Sequence, residues 1–148
     1  MKIREATTGD IIKIVDFQLN MAFETENITL NRDIVSKGVA AVFADKSLGR
    51  YYVAEADDQV VASLLITYEW SDWRNTLILW IQSVYVSSDF RRKGVFSNMY
   101  SHIKQIVETS AKYCGIRLYV DMSNLIAQEV YNKLGMNGNH YKTFEWFK

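Results

Sequence analysis

The stretch Ile81 to Ser97, IQSVYVSSDFRRKGVFS, constrains the fold of this 148-residue chain more than any other segment. An apolar run empties there through a short polar loop into a basic, glycine-containing helix start. Leu77 to Val86 is largely apolar with Trp, Tyr and Val, as a buried strand is. From Val95 the spacing becomes helical, with Val95, Met99, Tyr100, Ile103, Ile106 and Val107 on one side. The first amides of that helix therefore lie beside Arg91, Arg92, Lys93 and Gly94. Such amides carry partial positive charge and point outward, which suits a phosphate. Read alone, an RRK triplet also describes a solvated surface cluster. The chain has no GxxxxGKS/T run and no GxGxxG, which argues against a nucleotide-hydrolysing P-loop and a dinucleotide fold. What remains is the shorter pattern Arg91-x-x-Gly94-x-Phe96.

Composition narrows the classes further. Nearly half the residues are apolar, enough for one core, and no proline, repeat or low-complexity linker marks a boundary, so a single domain over residues 1–148 is expected. The 17 basic and 17 acidic residues balance, which argues against a nucleic-acid or membrane footprint. No apolar run approaches the roughly 18 residues of a membrane helix, and the N-terminus lacks a signal-peptide core, so a cytoplasmic protein is expected. One cysteine excludes an internal disulfide and a cysteine-rich metal site, and His102 and His140 are too isolated to suggest a metal. Cys114 reads as a small core residue closing a helix, and His102 as a surface group.

The Arg91-x-x-Gly94 pattern after a Val-Tyr-Val strand end resembles motif A of the GNAT superfamily of N-acetyltransferases, usually written Q/R-x-x-G-x-G/A. A second segment, GIRLYVDMSNLIAQEVYNKLGM at 115–136, resembles motif B: strand, Asn-started helix, Gly stop. Asn124 and Tyr131, seven residues apart and hence on one helix face, match the family's Asn and Tyr. The resemblance is strongest over Val84 to Met136, about a third of the chain, and the order of the other elements agrees. A first helix with Thr8 or Asp10 as cap should precede a second at Asp33 to Phe43. Strands should follow at Tyr51 to Glu55 and Val60 to Tyr68, turned at Asp57 and Asp58, with a last strand at His140 to Phe147. The implied fold is mixed α/β: a mostly antiparallel sheet of six to seven strands flanked by about four helices. A similar EWSDWRN segment, here at 69–75, occurs in one uncharacterised bacterial branch of the superfamily.

The resemblance implies acetyl-CoA as cosubstrate, no metal, and an amine acceptor, either a small molecule or a peptide, with a homodimer as in many relatives. It places the pantetheine arm along the backbone of Val84, Tyr85 and Val86, like an added strand. It places the pyrophosphate on the amides of Arg92, Lys93, Gly94, Val95, Phe96 and Ser97, with the side chains of Arg91, Arg92 and Lys93 assisting. Phe96 departs from the family's small residue, so its ring must turn away from the phosphate. Asn124 and Tyr131 complete the cofactor set, Asn124 being equally a helix cap. Tyr131 is the implied general acid for the departing thiolate, since a phenol can donate a proton.

The general base is open, because no acid lies between Thr76 and Val86. Acceptor-side candidates are Glu24, Glu26, Trp70, Asp72 and Gln82, with Asp121 a further carboxylate. The two indoles of the 69–75 segment either staple a hairpin to the core while Asp72 pairs Arg74, or form a wall for a cationic amine. A CoA-binding sensor without catalysis is the rival reading.

Overall fold

The computed structural model describes residues 1–148, which divide into two units, Met1–Arg117 and Leu118–Lys148. The first unit carries five strands: β1 (Lys2–Glu5), β2 (Arg50–Ala56), β3 (Gln59–Ser71), β4 (Thr76–Val86) and β5 (Tyr113–Arg117). They lie side by side in chain order, antiparallel except for the parallel pair β4–β5. A parallel pair needs a crossover. Helix α3 (Val95–Thr109) supplies it, and helices α1 (Ile11–Glu26) and α2 (Arg32–Ala44) join β1 to β2.

Strand alternation assigns the helices to faces. Tyr51 stacks 5.9 Å from Phe43 and shares a core with Ile14, Val15 and Val39 on α1 and α2. Its neighbour Tyr52 points the other way, toward His102 on α3 at 5.7 Å. His102 is thus half-buried, contrary to its reading as a surface group. Val95, Met99, Tyr100 and Ile103 are buried as the α3 stripe predicts, with Ile106 and Val107 half-buried. At the β2–β3 hairpin, Asp57 and Asp58 have φ of 50° and 59°. Two left-handed residues in a two-residue loop make the turn whose twist matches that of the strands, and Asp tolerates the conformation.

The second unit holds α4 (Leu125–Lys133), closed by Gly135 at φ 83°. Asn124 is its cap, accepting from the Ala127 amide at 3.1 Å. Helices number four, as expected, but strands number five, not six to seven. His140 to Phe147 carries no strand; β-propensity becomes a strand only where a ladder partner exists. Cys114, read as a core residue closing a helix, lies instead in the edge strand β5, after α3 has ended at Thr109, and is exposed. No helix is long and apolar enough to cross a membrane.

Neither Thr8 nor Asp10 caps α1 through its side chain. Asp10 holds the N-cap position, yet its carboxylate accepts from the guanidinium of Arg4 at 2.8 and 3.0 Å and from the amide of Thr7 at 2.7 Å. Arg4 also donates to Glu55 across β1–β2. The Arg4 guanidinium, aided by Thr7, lowers the buried Asp10 carboxyl to about 2 from 3.8. A depressed folded-state pKa stabilises above the unfolded value and ceases to do so as pH falls through the folded one. Asp10→Asn should therefore cost about 1–2 kcal/mol at neutral pH. Urea unfolding should show that difference shrinking between pH 4 and pH 2. A pH-independent difference would mean that the ion pair is not its source.

Candidate functional site

The site begins with an irregularity in β4. Counted from the turn at residues 72–75, β3 and β4 pair in one unbroken register from Ser71↔Thr76 to Leu65↔Gln82. The next pair is Ser63↔Tyr85, so Ser83 and Val84 oppose one residue of β3 and form a bulge. Ser83 adopts φ 50°, the left-handed conformation that a non-glycine residue enters at a cost. On its other edge β4 pairs with β5 only from Leu77↔Tyr113 to Trp80↔Arg117. Strand β5 ends at Arg117, the partner of Trp80, while β4 runs on. The second half of β4 has no strand on that side, a row of backbone groups suited to an extended ligand. Val84, Tyr85 and Val86 lie on this open stretch.

At its end the chain turns through residues 87–94 into α3. Arg92 (φ 61°) and Gly94 (φ 75°) are both left-handed, and Gly94 is the N-cap of α3 with no side chain capping the helix. The Asn98 amide bonds to Gly94 O at 3.0 Å, which begins the helix ladder. The amides of Val95, Phe96 and Ser97 precede that ladder, in the first turn of the helix. Arg92 and Lys93 are exposed beside them, with Lys93 Nζ 5.3 Å from the Phe90 ring. The Phe96 ring lies half-buried beside Tyr100 at 6.4 Å, directed along the helix side.

Arg91 is turned differently from its basic neighbours. Its guanidinium donates to Glu24 on α1, its Nε donates to Val86 O at 2.9 Å, and it lies over the Tyr85 ring at 5.4 Å. Tyr85 Oη donates to the other Glu24 oxygen at 2.8 Å, and its buried ring packs 5.0 Å from Phe17. Thus Glu24, Tyr85, Val86 and Arg91 are brought together. Arg91 and then Tyr85 hold the Glu24 carboxyl below the usual range, making it a weaker base. A cavity of about 370 Å³ lies alongside, between α1 and the loop after β4, lined in part by Lys13, Asp16, Tyr85 and Ser88.

Other acceptor-side candidates are scattered. Glu26 is exposed at the last position of α1. Trp70 lies near the end of β3 and Asp72 in the turn that follows, roughly 30 Å along the hairpin from Val86. The indoles do not staple the hairpin, since Trp70 and Trp73 are 59% and 89% exposed. Asp72 accepts from the Trp73 amide at 3.0 Å and Arg74 turns toward Ser71 Oγ, so the expected Asp72–Arg74 pair does not form. Gln82 is half-buried next to the bulge and donates to Thr67 Oγ1.

Sequence reasoning missed the bulge at Ser83 and a cluster in which Glu69 accepts from Trp80 Nε1 and Arg117. Counting back from the turn would have found Glu69 and Trp80. Nothing local fixes β5, and hence Arg117.

In the second unit, Tyr131 lies half-buried on α4, two turns beyond Asn124. Burial raises its phenol above the ordinary value, so it stays protonated at neutral pH. Asp121 accepts from the amide and hydroxyl of Ser123, which lower its carboxyl. No group of three or more His, Cys, Asp and Glu side chains could hold a metal ion.

The profile of the Acetyltransferase (GNAT) family matches residues 13–136. Among solved structures, one described as a possible acetyltransferase from Clostridium difficile 630 is 43% identical. That alignment covers 99% of this chain and 97% of the other, with a TM-score of 0.92. The fold is shared with a ribosomal-protein-alanine N-acetyltransferase from Brucella melitensis biovar Abortus 2308 (12% identity, 99% of both chains, TM-score 0.80). It is shared also with an aminoglycoside acetyltransferase from an uncultured soil metagenomic sample, in complex with sisomicin (14% identity, 99% and 95% coverage, TM-score 0.76). No curated protein matches the sequence.

The bulge makes a stability prediction. Ser83→Gly should be neutral or stabilising by up to about 1 kcal/mol, whereas Ser83→Val should destabilise by about 1–2 kcal/mol. Urea unfolding of the two variants measures this. Equal effects would mean that left-handed backbone is not required at residue 83.

Proposed function

Since this chain belongs to the GNAT acetyltransferase family, we propose that it moves an acetyl group from acetyl-CoA to a primary amine by direct transfer. The observation that carries the reading is the open edge of β4, which ends beside the uncapped amides of α3. Acetyl-CoA fits both halves: its amide-bearing arm can pair with strand edges, and its pyrophosphate suits a helix N-terminus. When bound, it supplies a thioester whose acyl carbon an amine attacks.

The chain's residues then divide the work. The backbone of Val84, Tyr85 and Val86 holds the arm. The amides of Arg92 to Ser97 take the pyrophosphate, with the side chains of Arg92 and Lys93 as countercharges. Arg91 acts through the loop, which it ties to Val86 O and Glu24. Asn124 orients α4, from which Tyr131 would donate its proton to the thiolate as the carbon–sulfur bond breaks and the carbon–nitrogen bond forms, and the second proton that the nitrogen sheds on becoming an amide would restore the phenol by way of solvent. An ammonium has a pKa of about 10 and must first lose a proton. With Glu24 weakened by Arg91 and Tyr85, that proton leaves to water.

Two neighbours of the same fold have chemically unlike acceptors in their descriptions, alanine of a ribosomal protein and an aminoglycoside, so fold alone does not select the acceptor. A second reading, a non-catalytic CoA or acyl-CoA sensor, is favoured by the lack of an acid anywhere on β4.

Calorimetric titration with acetyl-CoA and CoA, followed by thiol release across a panel of amines, tests the proposal. Micromolar binding with amine-dependent release is expected. Binding without release from any amine would support the sensor, and no binding would overturn both. Tyr131→Phe should slow transfer roughly a hundredfold or more and leave acetyl-CoA affinity nearly unchanged. Equal losses in rate and affinity would make Tyr131 structural.

A further inference from the structure

The register of β3, β4 and β5 places Thr67, Glu69, Trp80, Gln82 and Arg117 on one face of the sheet. They are bonded across three strands: Gln82 to Thr67, and both Trp80 Nε1 and Arg117 to Glu69. Trp80 and Arg117 are also the last pair of the β4–β5 ladder. The Glu69 cluster therefore stands where the β4–β5 ladder ends, two residues short of Gln82. A ligand strand paired from Val86 back to Gln82 would span roughly 13 Å, and its end would arrive beside this cluster.

Glu69 is held rather than used up. Its side chain is 35% accessible, and the two donors occupy about half of the roughly four acceptor positions of a carboxylate. Half-exposed ion pairs add little to stability, so the fixed orientation of the carboxylate is the main product of the arrangement. A carboxylate fixed at the end of a donor channel, flanked by an indole and an amide, suits an ammonium ion.

We propose that Glu69 is the acceptor-binding residue, holding the ammonium of a small cationic amine over Trp80 and Gln82. This rests on the acetyltransferase reading, which places the thioester at that end of β4.

The test follows the indole N–H resonances of 15N-labelled protein saturated with CoA, the Trp80 signal being assigned with Trp80→Phe. Putrescine, phenethylamine, glycinamide and lysine amide are titrated at millimolar concentration. At least one should shift the Trp80 resonance saturably. Glu69→Gln, which keeps the shape of the side chain, should weaken that response at least about tenfold. Calorimetric CoA affinity should stay within about twofold and the melting temperature nearly constant. With CoA bound, no shift from any amine, or an equal shift in Glu69→Gln, would overturn the role of Glu69 and leave the acetyltransferase reading standing. Failure to bind CoA at all would overturn both.

Discussion

The shortness of β5 beside the longer β4 is the constraint on which the candidate site depends. The parallel ladder runs to the end of β5 at Trp80↔Arg117, while β4 continues to Val86 with no strand beside it on that edge. The bulge at Ser83 and Val84 falls a few residues beyond that last pair, and a bulge bends its strand and increases its twist. Because β3 still pairs with β4 on the other side, the strand is anchored along one edge and open along the other. The opening is thus built into a rigid element.

A charged network surrounds the far end of that opening. Glu24, Tyr85 and Arg91 join the end of α1, the end of β4 and the loop before α3. This draws Arg91 away from the role of plain phosphate ligand and leaves Arg92 and Lys93 as the exposed cations. It also makes Glu24 a weaker base, since a carboxylate between a guanidinium and a phenol holds a proton weakly. At the near end a second carboxylate, Glu69, is oriented by donors from two other strands. The two acids sit at opposite ends of the open stretch and are held by different sets of donors.

Much of the fold was legible in the sequence because local rules governed it. The Val95 stripe, the Asn124 cap and the Asp57-Asp58 turn each depend on neighbouring residues, and each stands where the pattern puts it. What depended on pairing was not legible. Tyr141, Phe144, Trp146 and Phe147 have the composition of a strand, but a strand exists only with a ladder, and no such ladder forms. Asp10 was read as a helix cap by type, yet Arg4, brought close by β1, claims its carboxylate. The bulge at Ser83 leaves no mark on composition, since any residue that tolerates left-handed backbone serves. The Glu69 cluster joins residues as far apart as Glu69 and Arg117, a proximity that only the sheet order reveals.

Hydrogen–deuterium exchange with and without acetyl-CoA tests the central claim most directly. Those amides of Ser83 to Val86 that point away from β3, together with the amides of Val95 to Ser97, should exchange more slowly with acetyl-CoA bound. Leu77 to Trp80, already paired on both sides, should change little. Binding of acetyl-CoA without protection of the β4 segment would contradict the account, because the open edge would then not be where the donor lies.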